Sequence, residues 1–571
     1  MQQEKVIETK KCKHCSNSFD ITNKDLEFYN KVSPSFPSPD SKESDLKKIQ
    51  IPPPTLCPEC REQRRMVWRN ERKLYKRKCD LTGIDIISIY SPEKPYKVYE
   101  QIEWWSDKWN ALKYWKEFDF NKRFFEQFNE LLLEVPRISL SNSSQINSEY
   151  CNHTTWMKDS YLVFWSADSE NCLFSTRVEK SNYIIDSIFI NKSSYIYECV
   201  DIKNSYNVHF SQKCTTCTDS KYLFDCHNCK NCFGCINLNN KQYYIFNKEY
   251  SKNDYFIKIN ELWINYSYEI FKNYITKNAI MKFANIQENE NVFWDDIFNS
   301  KNIYNSFWIY DSEDIKYSQD LYNHSINSLD CYSWYWPIEN CYECYSFWVW
   351  AYNNLFITDC YPISESMYCD NCYSCSNIFW CVWLTNAKYC ICNKQYTKEE
   401  YKKLVPKIIE HMIKTWEWWE FFPSSISPFG YNETVANEYF PLLKEEAIKK
   451  WFKWSTYEPT FPKVDKIIPA NKLPDNIKDI PDDILNRAIE CEITKKPFKI
   501  IHQELDFYRK HNLPIPKRHP DQRHLDRMKL RNSRKLFDRK CDKCWINMKT
   551  SYSPLREEIV YCESCYEKEI Y

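Results

Sequence analysis

The chain has 571 residues, and its 78 Lys and Arg balance its 78 Asp and Glu, so its formal net charge is zero. This balance excludes a global field that would select a polyanionic partner, and no apolar run reaches the roughly 18 residues that a membrane span needs. Only 3 glycines occur, where an average composition predicts about 40, beside 22 tryptophans and 29 cysteines.

The first residues, MQQEKVIETKK, lack the apolar segment of a signal peptide. We therefore expect a cytoplasmic location and no membrane partner. In that compartment cysteines are metal ligands or buried thiols before they are disulfides.

Residues 1–104 are predicted to form a zinc-ribbon module. Cys12 pairs with Cys15, and Cys57 pairs with Cys60. Two Cys-x-x-Cys knuckles are typical of a closed tetrahedral zinc site, which leaves no open position for catalysis. The alternative, four buried free cysteines, does not explain the paired spacing.

Residues 105–140 are predicted to be a helical linker, followed by a duplicated β-solenoid over 141–275 and 276–420, each copy ending in a helix. Polar turns and alternating apolar residues recur every 11 or 12 residues. The recurring residues are Tyr161, Cys172, Tyr183, Tyr195, Tyr206, Cys217 and Cys229. Two repeats would make one coil of about 22 residues, with like residues stacked in ladders.

Four cysteines inside the first solenoid copy have two interpretations. The run Cys226, Cys229, Cys232, Cys235 has a spacing similar to iron–sulfur ligands, although ferredoxin runs place three residues before the last Cys. The internal copy has Ile378 where Cys232 stands, and a packing ladder tolerates that loss whereas a cluster does not. Stacked core cysteines are favoured over an iron–sulfur or zinc site.

Residues 421–485 are predicted to be a linker with short helices, and residues 486–571 a second zinc-ribbon module. Its complete ligand set is Cys541, Cys544, Cys562 and Cys565. The sequence therefore predicts two structural zinc ions per chain.

Both the ends and the centre of the chain are internally duplicated. RNERKLYKRKCD (69–80) matches RNSRKLFDRKCD (531–542), and residues 233–255 match residues 379–401. Each end module keeps one knuckle set and has lost ligands from the other. The replaced ligand positions hold Thr82, Glu100, Thr494 and Gln522.

Dense basic stretches lie beside the knuckles. Residues 61–78 hold nine Lys and Arg against two acids, and residues 517–540 hold ten against three. Such helices beside zinc knuckles commonly grip phosphate backbones, so we expect binding to RNA or a ribonucleoprotein. The predicted contacts are Arg61, Arg64, Arg65, Arg69, Arg72, Arg523, Arg527, Arg531 and Arg534. The alternatives are helices packed on the knuckles, with the solenoid surface serving as a protein-binding scaffold.

No phosphate-binding loop, nucleophile elbow, zinc-protease motif or dinucleotide fingerprint occurs in the sequence. We therefore expect no enzyme and identify no small-molecule substrate.

Several tryptophans stand where glycine is expected. Gly83 aligns with Trp545 and Gly234 with Trp380 in the internal copies. Trp383 aligns with Asn237, and Trp451 follows a helix where a C-cap glycine would stand. Since UGA and the glycine codon GGA differ by one base, we hypothesise that UGA codons meaning glycine were translated here as tryptophan. The alternative is genuine drift to tryptophan.

CKHCSNSFDITNKDLEFYNK with CPECREQRR resembles a small bacterial family of probable zinc ribbons. The blocks SPFGYNETVANEYFP and HPDQRHLDRMKLRN resemble large cysteine-rich zinc-ribbon proteins of candidate-phyla bacteria. The resemblance implies a multi-domain fold with zinc-ribbon modules and supplies no activity.

Overall fold

A computed structural model describes residues 4–37, 46–262, 267–292, 294–333, 337–347, 350–458 and 466–570. Its helices are α1 Asn23–Val32, α2 Pro58–Met66, α3 Gln101–Trp104, α4 Phe124–Glu134, α5 Lys252–Leu262, α6 Tyr268–Asn278, α7 Lys398–Lys414, α8 Val435–Tyr439, α9 Lys444–Lys449, α10 His502–His511, α11 Pro520–Met528 and α12 Glu563–Ile570. Within the described residues, no helix combines the length and apolarity needed to cross a bilayer.

The chain divides into two compact units that are discontinuous in sequence. One unit comprises Met1–Ser139 with Ala284–Tyr457, and the other comprises Leu140–Phe283 with Glu458–Tyr571. The N-terminal module therefore packs on the second solenoid copy, and the C-terminal module packs on the first. The predicted series of consecutive domains did not anticipate this crossed pairing.

The predicted linkers belong to these units. Residues 105–140 contribute α4, whose Phe124, Phe128 and Leu131 are fully buried. Residues 421–485 are divided between the two units at Tyr457. Apolar side chains on one face of α4 explain why this segment packs as core and does not span solvent.

A parallel β-solenoid forms the centre of each unit. The first copy has the strands Asn142–Ser143, Asn152–Lys158, Phe164–Glu170, Thr176–Glu179, Asn182–Ile185, Ile188–Asn191, Ser194–Tyr197, Val200–Lys203, Tyr206–His209, Gln212–Thr215, Thr218–Phe224, Lys230–Ile236, Gln242–Ile245 and Lys248–Glu249. The second copy has the strands Ile286–Gln287, Glu290–Val292, Ile297–Phe298, Lys301–Tyr304, Phe307–Tyr310, Glu313–Lys316, Gln319–Leu321, Ile326–Ser333, Ile338–Glu339, Tyr342–Phe347, Ala351–Tyr352, Leu355–Thr358, Ile363–Ser364, Met367–Asp370, Cys375–Ser376, Phe379–Val382, Cys390–Ile391 and Lys394–Gln395.

One coil of the first solenoid takes 12 residues, so the predicted coil of about 22 residues is wrong. Ile184 pairs with Ile196, and Ile196 pairs with Val208, each in parallel register. Every third residue turns inward, and the residue before it has a positive φ, as at Tyr183 and Tyr195. These frequent corners close the coil after four short sides, which the sequence period alone did not indicate.

Stacked serine and cysteine side chains line the coil interior and hydrogen-bond the backbone. Ser187 Oγ accepts the Cys199 N–H at 3.2 Å, and Cys199 Sγ accepts the Ser211 N–H at 3.3 Å. Cys199 Sγ also donates to the Tyr197 carbonyl at 3.2 Å. A thiol and a hydroxyl therefore do the same structural task, since each satisfies corner amides that would otherwise be buried without a partner.

The remaining strands belong to the end modules. At the N-terminal end they are Val6–Lys11, Ser18–Thr22, Ser35–Pro37, Leu46–Lys48, Tyr75–Lys78, Asp85–Ser88, Val98–Tyr99 and Arg137–Ile138. At the C-terminal end they are Ile467–Pro469, Ala488–Glu490, Pro497–Phe498, Phe537–Lys540, Asn547–Thr550 and Ile559–Tyr561, the last of which pairs with Ile280–Lys282.

Candidate metal centres

Cys12, Cys15, Cys57 and Cys60 meet in the N-terminal module. Their four Sγ atoms all lie within 4.8 Å of one another. Cys12 and Cys15 lie between the strands Val6–Lys11 and Ser18–Thr22, while Cys57 immediately precedes α2. Pro58 opens α2, where its fixed φ favours a helix start, so the second knuckle passes directly into the basic helix.

Cys541, Cys544, Cys562 and Cys565 form the equivalent group in the C-terminal module, again with all four Sγ atoms within 4.8 Å of one another. Cys541 and Cys544 connect the antiparallel strands Phe537–Lys540 and Asn547–Thr550. This group is more open than the first, because Cys544 is exposed whereas Cys12, Cys57 and Cys60 are buried.

Both groups fit a tetrahedral metal with four thiolate ligands. Cys15 Sγ lies 3.6 Å from Cys57 Sγ, and Cys544 Sγ lies 3.6 Å from Cys562 Sγ. Zn–S bonds of about 2.3 Å in a tetrahedron place the sulfurs about 3.8 Å apart. All 29 cysteines are unbridged, so a disulfide does not compete for these sulfurs.

Local donors favour the thiolate form that a metal requires. Burial alone would raise the pKa of Cys541, but the Cys544 and Cys562 N–H groups lower this pKa to about 6. The Cys562 N–H donates to Cys541 Sγ at 3.3 Å. In the N-terminal group, hydrogen bonding with Cys60 lowers the pKa of Cys57 to about 5. The two groups are therefore compatible with structural metal binding, of which zinc is the usual case.

The incomplete knuckle sets keep their turn without a metal group. The Glu100 N–H donates to Cys79 Sγ at 3.3 Å, and the Thr494 N–H donates to Cys491 Sγ at 3.4 Å. Across the described residues, only the two complete sets bring their ligand atoms together. Hydrogen bonds to one buried sulfur hold each turn where a ligand has been lost.

The four central cysteines Cys226, Cys229, Cys232 and Cys235 lie in the core of the first solenoid, as the packing interpretation predicts. Their sulfurs bond to backbone carbonyls, for example Cys226 Sγ to the Phe224 carbonyl at 3.4 Å. They do not converge as a metal group among the described residues. Inward positions recur every third residue, which accounts for the Cys-x-x-Cys spacing without a cluster.

The arginines of α2 form buried ion pairs with the second solenoid. Arg61 Nε lies 2.9 Å from an Asp330 carboxylate oxygen, and Arg65 Nη1 lies 3.1 Å from the other. Arg65 also pairs with Glu343 at 3.0 Å, and Arg64 pairs with Glu343 at 2.8 Å. Burial alone would raise the pKa of Glu343, but Arg64 and Arg65 lower it.

The arginines of α11 repeat this arrangement on the first solenoid. Arg523 pairs with Asp186, and Arg527 Nη2 lies 3.1 Å from the same carboxylate. Arg527 also lies 3.5 Å from Glu198. Asp186 and Glu198 stand one coil apart, as Asp330 and Glu343 do. We call each set of helix arginines and solenoid acids a clamp.

The clamps correct the expectation that these arginines contact nucleic acid. Arg61, Arg65, Arg69, Arg523 and Arg527 are each at most 4% exposed, and Arg64 is 12% exposed at its side chain. A phosphate backbone has no access to side chains that are buried against a solenoid. The other predicted contacts, which are half-buried, are Arg72, Arg531 and Arg534.

Sequence reasoning identified both ligand sets and missed the acids that receive the arginines. Asp186, Glu198, Asp330 and Glu343 occupy outward corner positions with positive φ. Charged corners are common along the coils, so nothing in the local sequence distinguishes these four. The available signal was that Arg61 and Arg65, like Arg523 and Arg527, recur four residues apart on a helix face in both modules.

No family model, curated protein or solved structure matches the chain. The resemblance to bacterial zinc-ribbon proteins therefore stays a prediction.

Proposed function

We propose that this protein is a non-enzymatic scaffold, in which zinc at both ends stabilises modules clamped onto a β-solenoid and the uncovered solenoid faces bind protein. The observation that carries the proposal is the use of the basic helices. Arg61, Arg65, Arg523 and Arg527 neutralise solenoid acids inside the molecule, so their charge stabilises the fold. This favours the scaffold over attachment to RNA through these residues.

The second solenoid offers one regular surface away from its clamp. Phe298, Tyr310 and Tyr322 stack with ring centroids 4.7 Å apart at each step. Beside this stack, Asn299 donates to Asp311, and Asn302 donates to Asp314 at 2.9 Å. Stacked aromatic rings beside a polar row give area for contact and groups for hydrogen bonding, which a protein partner uses together.

The zinc sites serve this scaffold by fixing the modules locally. Each module has short strands and small sheets, and a small domain of this kind needs a metal or cross-link to be stable. The metal therefore acts before binding, by holding α2 and α11 in the position where their arginines meet the solenoid.

The test compares two surfaces in the full-length protein. Partners from the native cell are crosslinked and identified with the unaltered chain, with a double variant Tyr310→Ala and Tyr322→Ala, and with Asp538→Lys as a control. Asp538 is an exposed acid outside the solenoid. The scaffold predicts that the same protein partner is captured by the control and lost from the aromatic variant.

RNA binding is measured in parallel with a random single-stranded RNA over a range of salt concentrations. Strong, salt-dependent binding that the tyrosine variant leaves unchanged would contradict the scaffold. It would support the nucleic-acid prediction through residues outside the clamps.

A further inference from the structure

A small set of residues outside the solenoid coils has a left-handed backbone. In the described part of the chain the non-glycine members are Ser16, Trp416, Trp419, Trp451, Lys495, Asn512 and Trp545. Four of these seven are tryptophan, although tryptophan is only 22 of 571 residues. A bulky aromatic residue is among the least expected at positive φ, where glycine and asparagine predominate.

Trp416 ends α7 in a turn that normally requires glycine. Its φ is +62°, its N–H donates to the Ile413 carbonyl at 3.3 Å, and the Glu417 N–H donates to the Met412 carbonyl at 2.8 Å. These two bonds define a Schellman motif with Trp416 at C′, the position where glycine is strongly preferred.

Trp451 ends α9 in the same way. Its φ is +62°, its N–H donates to the Ile448 carbonyl at 3.0 Å, and the Phe452 N–H donates to the Ala447 carbonyl at 3.0 Å. The corresponding position after α10 holds Asn512, the other residue that this motif accepts. Two of these three helix ends thus have the least suitable residue at the position that decides them.

Trp545 stands at the fifth position of a zinc knuckle. Its N–H donates to the Cys541 carbonyl at 2.9 Å, and the Gly83 N–H donates to the Cys79 carbonyl at 2.8 Å. The two residues have φ of +64° and +77°. The knuckle turn is therefore the same in both modules, and one of them has glycine.

These side chains gain little by being tryptophan. Trp416 is 77% exposed, Trp451 is 83% exposed and Trp545 is 72% exposed. An indole ring in solvent buries little apolar area to offset the strained backbone. Trp418, between Trp416 and Trp419, shows the contrast, because it is fully buried and donates from Nε1 to the Gln50 carbonyl at 3.2 Å.

We infer that the native polypeptide has glycine at residues 416, 419, 451 and 545, at codons that its own translation machinery reads as glycine. Trp418 and Trp104 are genuine tryptophans, since each is buried and donates a hydrogen bond from its indole. Trp416 and Trp419 extend the hypothesis to positions that the internal copies did not indicate.

The coil tryptophans need the internal copies as well as the backbone. Trp380 and Trp383 have φ of +56°, but coil corners accept many residue types. Their counterparts Gly234 and Asn237 have φ of +64° and +52°, so the backbone is shared between copies. Backbone geometry alone does not assign glycine in the coils.

The direct test reads the codons and the residue masses. UGA at positions 416, 419, 451 and 545, with UGG at 418 and 104, is the expected result. Mass spectrometry of peptides from the native cell should then show glycine at the four positions. UGG codons, or tryptophan masses in the native protein, would overturn the inference.

Stability gives a second measurement on the recombinant full chain. A triple variant with Trp416→Gly, Trp451→Gly and Trp545→Gly is expected to unfold at higher urea concentration than the tryptophan form. Trp418→Gly is the matched control and should unfold at lower urea concentration. A triple variant that unfolds at lower concentration, like the control, would contradict glycine at these turns.

Discussion

Arg61 and Asp330 lie 269 residues apart in the chain, yet Arg61 Nε donates to the Asp330 carboxylate at 2.9 Å with both side chains buried. Arg65 donates to the second oxygen of the same carboxylate. The other unit repeats the relationship between Arg523 and Asp186. The clamps thus connect each knuckle-bearing module to a solenoid that is distant in sequence.

Removing the Asp330 charge should destabilise its unit strongly. Asp330→Asn leaves the buried Arg61 and Arg65 guanidinium groups without their counterion, which costs about 3–5 kcal/mol in the free energy of unfolding. Urea denaturation at neutral pH measures this loss. Asp538→Asn, which removes an exposed pair with Lys549, should cost roughly 0–1 kcal/mol. Equal and small effects of both variants would show that the clamp does not stabilise the unit.

The two metal centres should release zinc at different rates. Cys544 is exposed and Cys562 half-exposed, whereas Cys12, Cys57 and Cys60 are buried. A colorimetric chelator should therefore remove zinc in two phases, the faster one from the C-terminal site. Cys541→Ser should abolish the fast phase alone. A single phase, or loss of the slow phase in this variant, would contradict the assignment.

The inward cysteines should be replaceable by serine. Cys199 Sγ accepts the Ser211 N–H, so Cys199→Ser keeps an acceptor and should change stability little. Cys199→Val leaves that buried amide without its partner and should cost about 1–3 kcal/mol. Denaturant unfolding distinguishes the two variants. A valine variant as stable as the serine variant would show that the ladder bonds contribute nothing.

Two histidines give the C-terminal module a pH dependence. His209 and His511 lie with ring centroids 5.2 Å apart, where the first solenoid meets α10. Burial lowers the pKa of His209 well below its usual 6.5 and lowers that of His511 to about 4, with Lys221 adding to both effects. Since the folded pKa values are depressed, their stabilising contribution is complete above pH 6.5 and is lost as the pH falls toward 4.

The second solenoid supplies the control for this pH effect. The positions that match His209 and His511 hold Leu355 and Val32. His209→Leu with His511→Val should therefore flatten the decline in unfolding free energy between pH 6.5 and 4. The measurement is a series of urea titrations across that range. An unchanged slope in the double variant would exclude the histidines as its source.

The metal sites were predictable from sequence because knuckle ligands are close along the chain and their spacing has one common meaning. The solenoid was predictable as a class, since its inward serines, cysteines and isoleucines recur, but the 12-residue coil was not. Corners such as Tyr183 and Tyr195 have positive φ without glycine, so turn chemistry gave no signal. The clamps were missed because Arg61 and Asp330 are related only through the crossed pairing of modules and solenoids.

Metal content tests the central claim most directly. Elemental analysis of the purified full-length chain should find two zinc ions per molecule, one in Cys12→Ser, one in Cys541→Ser and none in the double variant. Cys229→Ser should still hold two. A folded chain that contains no zinc, or that loses metal with Cys229→Ser, would contradict two structural centres of four cysteines each.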